Sequence, residues 1–424
     1  MLTAIVGINW GDEGKGRMVD LLGGDYDIIV RYQGGNNAGH TVINERGKFI
    51  LNLLPSGILR EDAVNVMGNG MVIDIEHLAG EIDALNTKGI KITPDNLKIS
   101  DKAIICMPVH KQQDILEEER LRDKKYGSTR RGIAPVYADK YMKKALRMGD
   151  LCAPATLRDK VKGFLDWKNL ILEGAYNNKK MSVTELMNWL EKFGRHLMPH
   201  VCDTGGYLYS AIDAGKNIMF EAQLGALRDI DYGIYPYTTS SNTLAAYAPI
   251  GSGIPSARLD GTIGIMKAYS SCVGEGPFTV EMSGAEAEAL RAAGSEYGAA
   301  TGRPRRVGAF DVPASRYGIK LQGAETLALT KLDVMSYMDK IPVCVGYRID
   351  GAVTSVFPSG DRLARAEPVF EYLEGFKTDI SECRSIRDLP KAALDYIRYI
   401  EKAVGCRIKY VSVGAERDDY IILR

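Results

Sequence analysis

Residues 9–16 read NWGDEGKG, two carboxylates and a lysine set among glycines directly after an apolar run. Glycines let backbone amides face a phosphate, and Lys15 adds charge, so the chemistry this suggests is phosphate binding. The pattern departs from GxxxxGK[ST]: the first glycine would fall at Asn9 and the metal-binding hydroxyl at Gly16. A loop without that hydroxyl must hold magnesium through another oxygen, and Asp12 is the candidate. His40 closes a second glycine-rich stretch, YQGGNNAGHT at 32–41, where it could donate to charge developing on a phosphoryl or carbonyl oxygen. Thr330, Lys331, Leu332 and Asp333 match [NT]KxD. In guanine sites of that form the carboxylate accepts from the ring N–H and the exocyclic amine while the lysine stem covers the base. TGRPRR at 301–306 sets three guanidiniums side by side. Such a run is either a solvated basic loop or a fork for carboxylate or phosphate.

These residues need a scaffold that gathers them. LTAIVGI (2–8), followed by helically spaced Met18, Leu21 and Leu22, predicts strand, loop and helix. Further strands are expected at 26–32, 64–73, 217–222, 327–334, 340–349 and 407–414; most are apolar on both faces, as central strands of a largely parallel sheet are. Helices are expected at 75–88, roughly 110–123, 183–197, 282–294 and 388–404, the last stopped by Gly405. The alternation predicts an α/β fold. The strand before His40 is expected to neighbour the first, which favours a functional His40 because parallel sheets collect ligands where such strands end. Strand signals fade between about 105 and 215, which predicts a helical insertion within one domain spanning 1–424.

At 424 residues, 45% hydrophobic and 25% charged, the chain has the composition of a globular protein. Lys+Arg and Asp+Glu each number 54, so no net basic field exists to hold nucleic acid or an anionic membrane. No apolar run is long enough to span a bilayer, and the N-terminus lacks signal-peptide order, so a cytoplasmic location is expected. The 7 cysteines show no metal-site spacing and read as reduced thiols, mostly buried.

Taken together, GDEGKG, RYQGGNNAGHT, LLPSGIL (53–59), GSTRRGIAP (127–135), DIDYGIYPYTTSSNT (229–243), VGEGPF (273–278), TGRPRR and TKLDV follow one order and spacing. They resemble the adenylosuccinate synthetase family over residues 1–424. The resemblance implies a P-loop NTPase-like sheet with helical insertions, and a homodimer that condenses IMP with L-aspartate, using GTP, to adenylosuccinate. It implies that Asp12 takes the N1 proton of IMP, that the 6-oxygen attacks the γ-phosphate of GTP beside His40 and Lys15, and that one Mg²⁺ sits on Asp12 and the Gly39 carbonyl. By position, Asn37, Thr129, Lys143, Gln223, Thr239, Val273 and Arg303 match IMP contacts, with Lys143 reaching the neighbouring subunit's site. Thr301, Arg303 and Arg305 match the aspartate loop. Gly11, Gly14, Lys15, Gly16, Thr41, Arg305, Lys331, Asp333, Ser412 and Gly414 match the GTP site.

Departures cluster at the purine pocket. Lys143 stands where an arginine is usual, and FEAQLG replaces FEGAQG, which moves Gln223 one place early and puts Leu224 in its stead. Arg228 replaces an apolar residue, Arg130 a glycine, and Cys272 and Pro304 arginines. They motivate an alternative, a relative acting on GMP or dGMP. A second alternative is a GTP-binding sensor without ligase activity, although a sensor needs neither Asp12, His40 nor the aspartate-loop arginines.

Overall fold

The structure, a computed structural model, describes residues 1–44, 47–298, 302 and 304–423. Ten strands form its main sheet: β1 (Leu2–Gly7), β2 (Ile28–Arg31), β3 (Val64–Met67), β4 (Leu97–Ser100), β5 (Val201–Cys202), β6 (Ile218–Gly225), β7 (Gly261–Lys267), β8 (Thr326–Thr330), β9 (Arg407–Ser412) and β10 (Tyr420–Ile422). Their order is β10-β9-β8-β7-β1-β6-β2-β3-β4-β5. Every pairing is parallel except the terminal β9–β10 pair. Both faces of the central strands are covered, which is why Ile5, Ile29 and Met219 on one face and Ala4, Val30 and Phe220 on the other are all buried.

The helices used below are α1 (Lys15–Leu22), α2 (Ile75–Thr87), α3 (Pro108–Leu121), α4 (Ile133–Tyr141), α5 (Pro154–Tyr176), α6 (Val183–Gly194), α7 (Thr204–Asp213), α8 (Gly284–Gly294), α9 (Val312–Gln322) and α10 (Lys391–Val404). In α10, Ala393, Tyr396, Ile397, Ile400 and Val404 make one buried stripe, and Gly405 ends the helix at φ 71°. Helices α3 to α7 fill the stretch from 108 to 213; α3, α5 and α6 share a core with Leu53, Met67 and Ile99, α4 packs with Val72 and Ile104, and α7 with Val30 and Val66.

Three strand expectations need correction. β2 does not neighbour β1, because β6 lies between them and pairs with both. His40 starts a separate hairpin of 40–44 with 47–51. The run 340–349 lies outside the main sheet, in a smaller sheet where it pairs antiparallel with 352–354 and 367–374. The run 64–73 is broken at Gly68, whose added Cβ would lie 2.4 Å from the Gly251 carbonyl. Because the nine strands from β1 to β9 run in one direction, the loops that follow β1, β2, β6, β7, β8 and β9 open on one edge.

Candidate active site

The loop after β1 is tied down from within. Glu13 is buried and its Oε1 accepts from the amides of Asn9 (3.1 Å) and Gly11 (2.8 Å), while Oε2 takes the Lys15 ammonium at 2.7 Å. The Thr330 hydroxyl donates to the Glu13 carbonyl (2.8 Å), fastening the loop to the end of β8. Gly11 and Gly14 hold φ of 106° and 94°, and Asp12 between them is left-handed at 59°. That turn brings the Asp12 carboxylate to 3.2 Å from Arg305 Nε.

Gly16 explains the absent hydroxyl sterically. A Cβ there would lie 2.8 Å from His40 Cδ2 and 3.1 Å from Ser56 Oγ, so the first turn of α1 packs on the imidazole where other phosphate loops place Ser or Thr. His40 Nε2 has no hydrogen-bond partner and lies 3.6 Å from Glu221 Oε1, too far for a bond. Glu221 itself accepts from the Ser56 amide (2.8 Å) and hydroxyl (2.7 Å). Burial pushes His40 down to about 4, outweighing the attraction of Glu221. The imidazole is therefore neutral near pH 7, with a free ring nitrogen.

Across the site, Glu296 is fully buried and collects four donors: Lys267 (2.8 Å), Lys331 (3.0 Å), Arg305 (2.9 Å) and the Tyr269 hydroxyl (2.5 Å). Lys331 is left-handed at φ 60° and also donates to the Gly294 carbonyl (2.6 Å). Asp333 Oδ1 is buried without a partner, and burial raises its carboxyl above the usual range. Nearby, Arg17 donates from Nη1 to Ser412 Oγ (3.1 Å) and the Gly414 carbonyl (2.6 Å), its guanidinium 4.5 Å over the Tyr420 ring. An unpartnered carboxylate oxygen beside a lysine stem is the arrangement a guanine edge would complete.

On the other flank, Gln223 gives both ends of its carboxamide to Gly35: Nε2 to the carbonyl (2.9 Å), Oε1 from the amide (3.0 Å). A Cβ on Gly34 would lie 1.6 Å from that Oε1, so this clamp needs glycine. Asn37 Oδ1 and Thr239 Oγ1 are buried and unpartnered. Leu224 is left-handed (φ 62°) and packs on Gly11. The departures Arg228 and Cys272 touch: Arg228 Nη2 donates to Cys272 Sγ (2.9 Å) and the Val273 carbonyl (2.5 Å), and Nη1 to the Tyr237 carbonyl. Val273, Thr129 and Lys143 are exposed, the last at φ 61° just beyond α4. Thr41 and Gly39 stand at the start of the 40–44 hairpin. Thr301 and Arg303 lie outside the described residues.

Sequence reasoning missed Glu13 as the anchor of its loop, Arg17 as the tie between α1 and β9, and the Lys267–Glu296 pair. Glu13 was visible inside the motif. Lys267 and Glu296 belong to no local pattern, and only the fold brings them to Lys331.

The geometry has counterparts among known proteins. The sequence profile of the adenylosuccinate synthetase family matches residues 4–421. An adenylosuccinate synthetase of Caldanaerobacter subterraneus subsp. tengcongensis is 42% identical, covering 100% of this chain and 99% of its own. One from Halothermothrix orenii is 44% identical, covering 98% and 97%. The solved structure of fully ligated adenylosuccinate synthetase from Plasmodium falciparum superposes with a TM-score of 0.93 at 33% identity, covering 100% of this chain and 99% of that one. Succinoaminodeoxyadenylate synthetase of cyanophage S-2L, solved with dGMP and dATP, is similar in fold at a TM-score of 0.62 and 19% identity.

Proposed function

The chain belongs to the adenylosuccinate synthetase family, and from that premise we propose how its residues condense IMP with L-aspartate, using GTP, to give adenylosuccinate, GDP and phosphate. The observation that carries the reading is the make-up of the phosphate loop and its neighbour: the loop carries the Asp12 carboxylate and Lys15, and the His40 ring packs on Gly16 with its Nε2 unpartnered. Asp12 accepts the N1 proton of IMP, and the electron pair moves onto the 6-oxygen. That oxygen attacks the γ-phosphorus of GTP, the bond to the β-phosphate oxygen breaks, and GDP leaves. Neutral His40 donates to the oxygen whose charge is changing, and Lys15 turns from Glu13 to the phosphates. The aspartate amine then adds at C6 of 6-phosphoryl-IMP and phosphate departs with the former 6-oxygen.

Arg305, with Thr301 and Arg303, takes the carboxylates of aspartate, and in doing so releases Asp12. Lys331 and Asp333 take guanine, and Arg17 arranges Ser412 and Gly414 beside it. Asn37, Thr129 and Thr239 offer polar groups to IMP, Val273 lies against it, and Gln223 shapes its pocket by holding Gly35. Asp12 and the Gly39 carbonyl are an oxygen-only donor set that suits Mg²⁺, an ion that completes its shell with water and phosphate oxygens. The Asp12 carboxylate already faces a cation, Arg305, as this role requires. Bound there, the ion would neutralise charge on the transferring phosphoryl group. The molecule acts as a cytoplasmic homodimer, with exposed Lys143 reaching the partner's IMP. No helix among the described residues is long and apolar enough to cross a membrane. The helical stretch from 105 to 215 belongs to the same folding unit, because α3, α5 and α6 complete a core begun by Leu53, Met67 and Ile99, and α7 packs Leu208 with Val30 and Val66.

The Arg228–Cys272 contact at Val273 supports one further reading, in which the pocket prefers a 2-aminopurine such as GMP or dGMP. Steady-state rates with GTP, Mg²⁺ and L-aspartate decide between them. IMP exceeding GMP and dGMP in kcat/KM by orders of magnitude is the expected result; a preference for dGMP would assign the substitutions to specificity. Tight GTP binding without turnover on any of the three would make the protein a sensor.

A further inference from the structure

One buried carboxylate joins two substrate sites that the reaction must fill together. Glu296 follows α8, and three positive side chains converge on it from separate elements: Lys267 from the end of β7, Lys331 from the turn after β8, and Arg305 from the segment before 306–308. Its backbone carbonyl accepts from the Arg305 amide (2.9 Å), so residue 305 is held by main chain as well as side chain. Arg305 also reaches Asp12 at 3.2 Å, whereas Lys331 Nζ is held by Glu296 and the Gly294 carbonyl. These cations hold the Glu296 carboxyl far below the usual carboxylate range despite its burial.

We propose that Glu296 is a positioning residue that couples the guanine site to the aspartate site, by dividing its charge between Lys331 and Arg305. The inference rests on the assignment of Lys331 to GTP and of Arg305 to aspartate. A cation that shares its counter-ion with two others is held loosely and stays available to a substrate carboxylate. When one competitor is removed, Glu296 grips the remaining two more tightly. Arg305 is then less free to leave Asp12 and Glu296, and the local potential that attracts an anionic substrate falls. Both effects weaken aspartate binding, although Lys331 itself has no part in holding aspartate.

The test is Lys331→Ala and Lys331→Arg in the full-length protein, with KM for L-aspartate measured at saturating GTP, IMP and Mg²⁺. Lys331→Ala is expected to raise KM for aspartate on the order of three- to tenfold, the usual size of coupling within one charge network, while KM for IMP stays within about twofold. Lys331→Arg, which returns the charge to Glu296, is expected to restore KM for aspartate. Glu296→Gln, which lifts the hold on Arg305 and leaves the local potential more positive, is expected to lower KM for aspartate, and a rise would count against the proposal; should that variant fail to fold, the two Lys331 variants decide. An unchanged KM for aspartate in Lys331→Ala overturns the proposal, as does an equal rise in Lys331→Arg. Wild-type protein without IMP- and aspartate-dependent turnover would instead overturn the reading of the reaction on which it rests.

Discussion

Asp12 and His40 owe their chemistry to opposite surroundings. Asp12 is partly open and its carboxylate faces the Arg305 guanidinium at 3.2 Å; its proposed role is to accept a proton. Its conversion to Asn keeps the shape and removes the base, and should lower kcat by about 100-fold or more, the usual contribution of a positioned base; near-normal turnover would refute the role. His40 is neutral because burial pushes it to about 4, below its unfolded value of 6.5. Between those values the unfolded chain binds a proton that the folded chain refuses. The stabilisation from a neutral His40 is thus complete above pH 6.5 and lost as pH falls from 6.5 towards 4. Thermal melts of wild type and His40→Asn should show the wild type losing stability relative to the variant between pH 7 and 5. A difference in Tm independent of pH would mean that the imidazole titrates normally.

The elements bring these residues together through close approach. Gly16 lets α1 start against the His40 ring, so adding a hydroxyl there, the change that would restore the common phosphate-loop pattern, should be harmful. Gly16→Ser is expected to cost about 1–3 kcal/mol by overpacking and to abolish turnover by moving His40, as read by denaturant melts and steady-state rates. A stable, active variant would show that the ring has room to move. The phosphate loop, the His40 stretch and the guanine motif were legible in the sequence because each puts its chemistry into consecutive residues. Most strands of the parallel sheet were legible because burial on both faces makes them continuously apolar. β7 was not: GTIGIMK carries two glycines and a lysine, Gly264 because Ile8 fills the space of its side chain, and Lys267 because Glu296 neutralises it. The place of β6 between β1 and β2 was hidden for another reason, since its pairing joins residues some two hundred positions apart. The Arg228–Cys272 contact became visible only when the fold joined two departures that the sequence separates by 44 positions.

At the scale of the molecule, the loops that follow β1, β8 and β9 on one sheet edge carry Asp12, Lys331, Asp333 and Gly414, while a lysine is expected from a second subunit. Lys143 is exposed and left-handed just beyond α4. If it completes the partner's site, inactive Asp12→Asn and Lys143→Ala proteins should rescue each other when their subunits exchange. Half of randomly mixed dimers are hybrids with one intact site, so activity should recover to about a quarter of wild type. No recovery, with exchange verified, would place Lys143 outside the catalytic unit. The central claim is that the 6-oxygen of IMP is phosphorylated before aspartate adds. IMP labelled with ¹⁸O at the 6-position, turned over with GTP and L-aspartate, tests it directly. The label is predicted to leave in inorganic phosphate, one atom per phosphate, in step with adenylosuccinate formation; label found in water instead would contradict the mechanism.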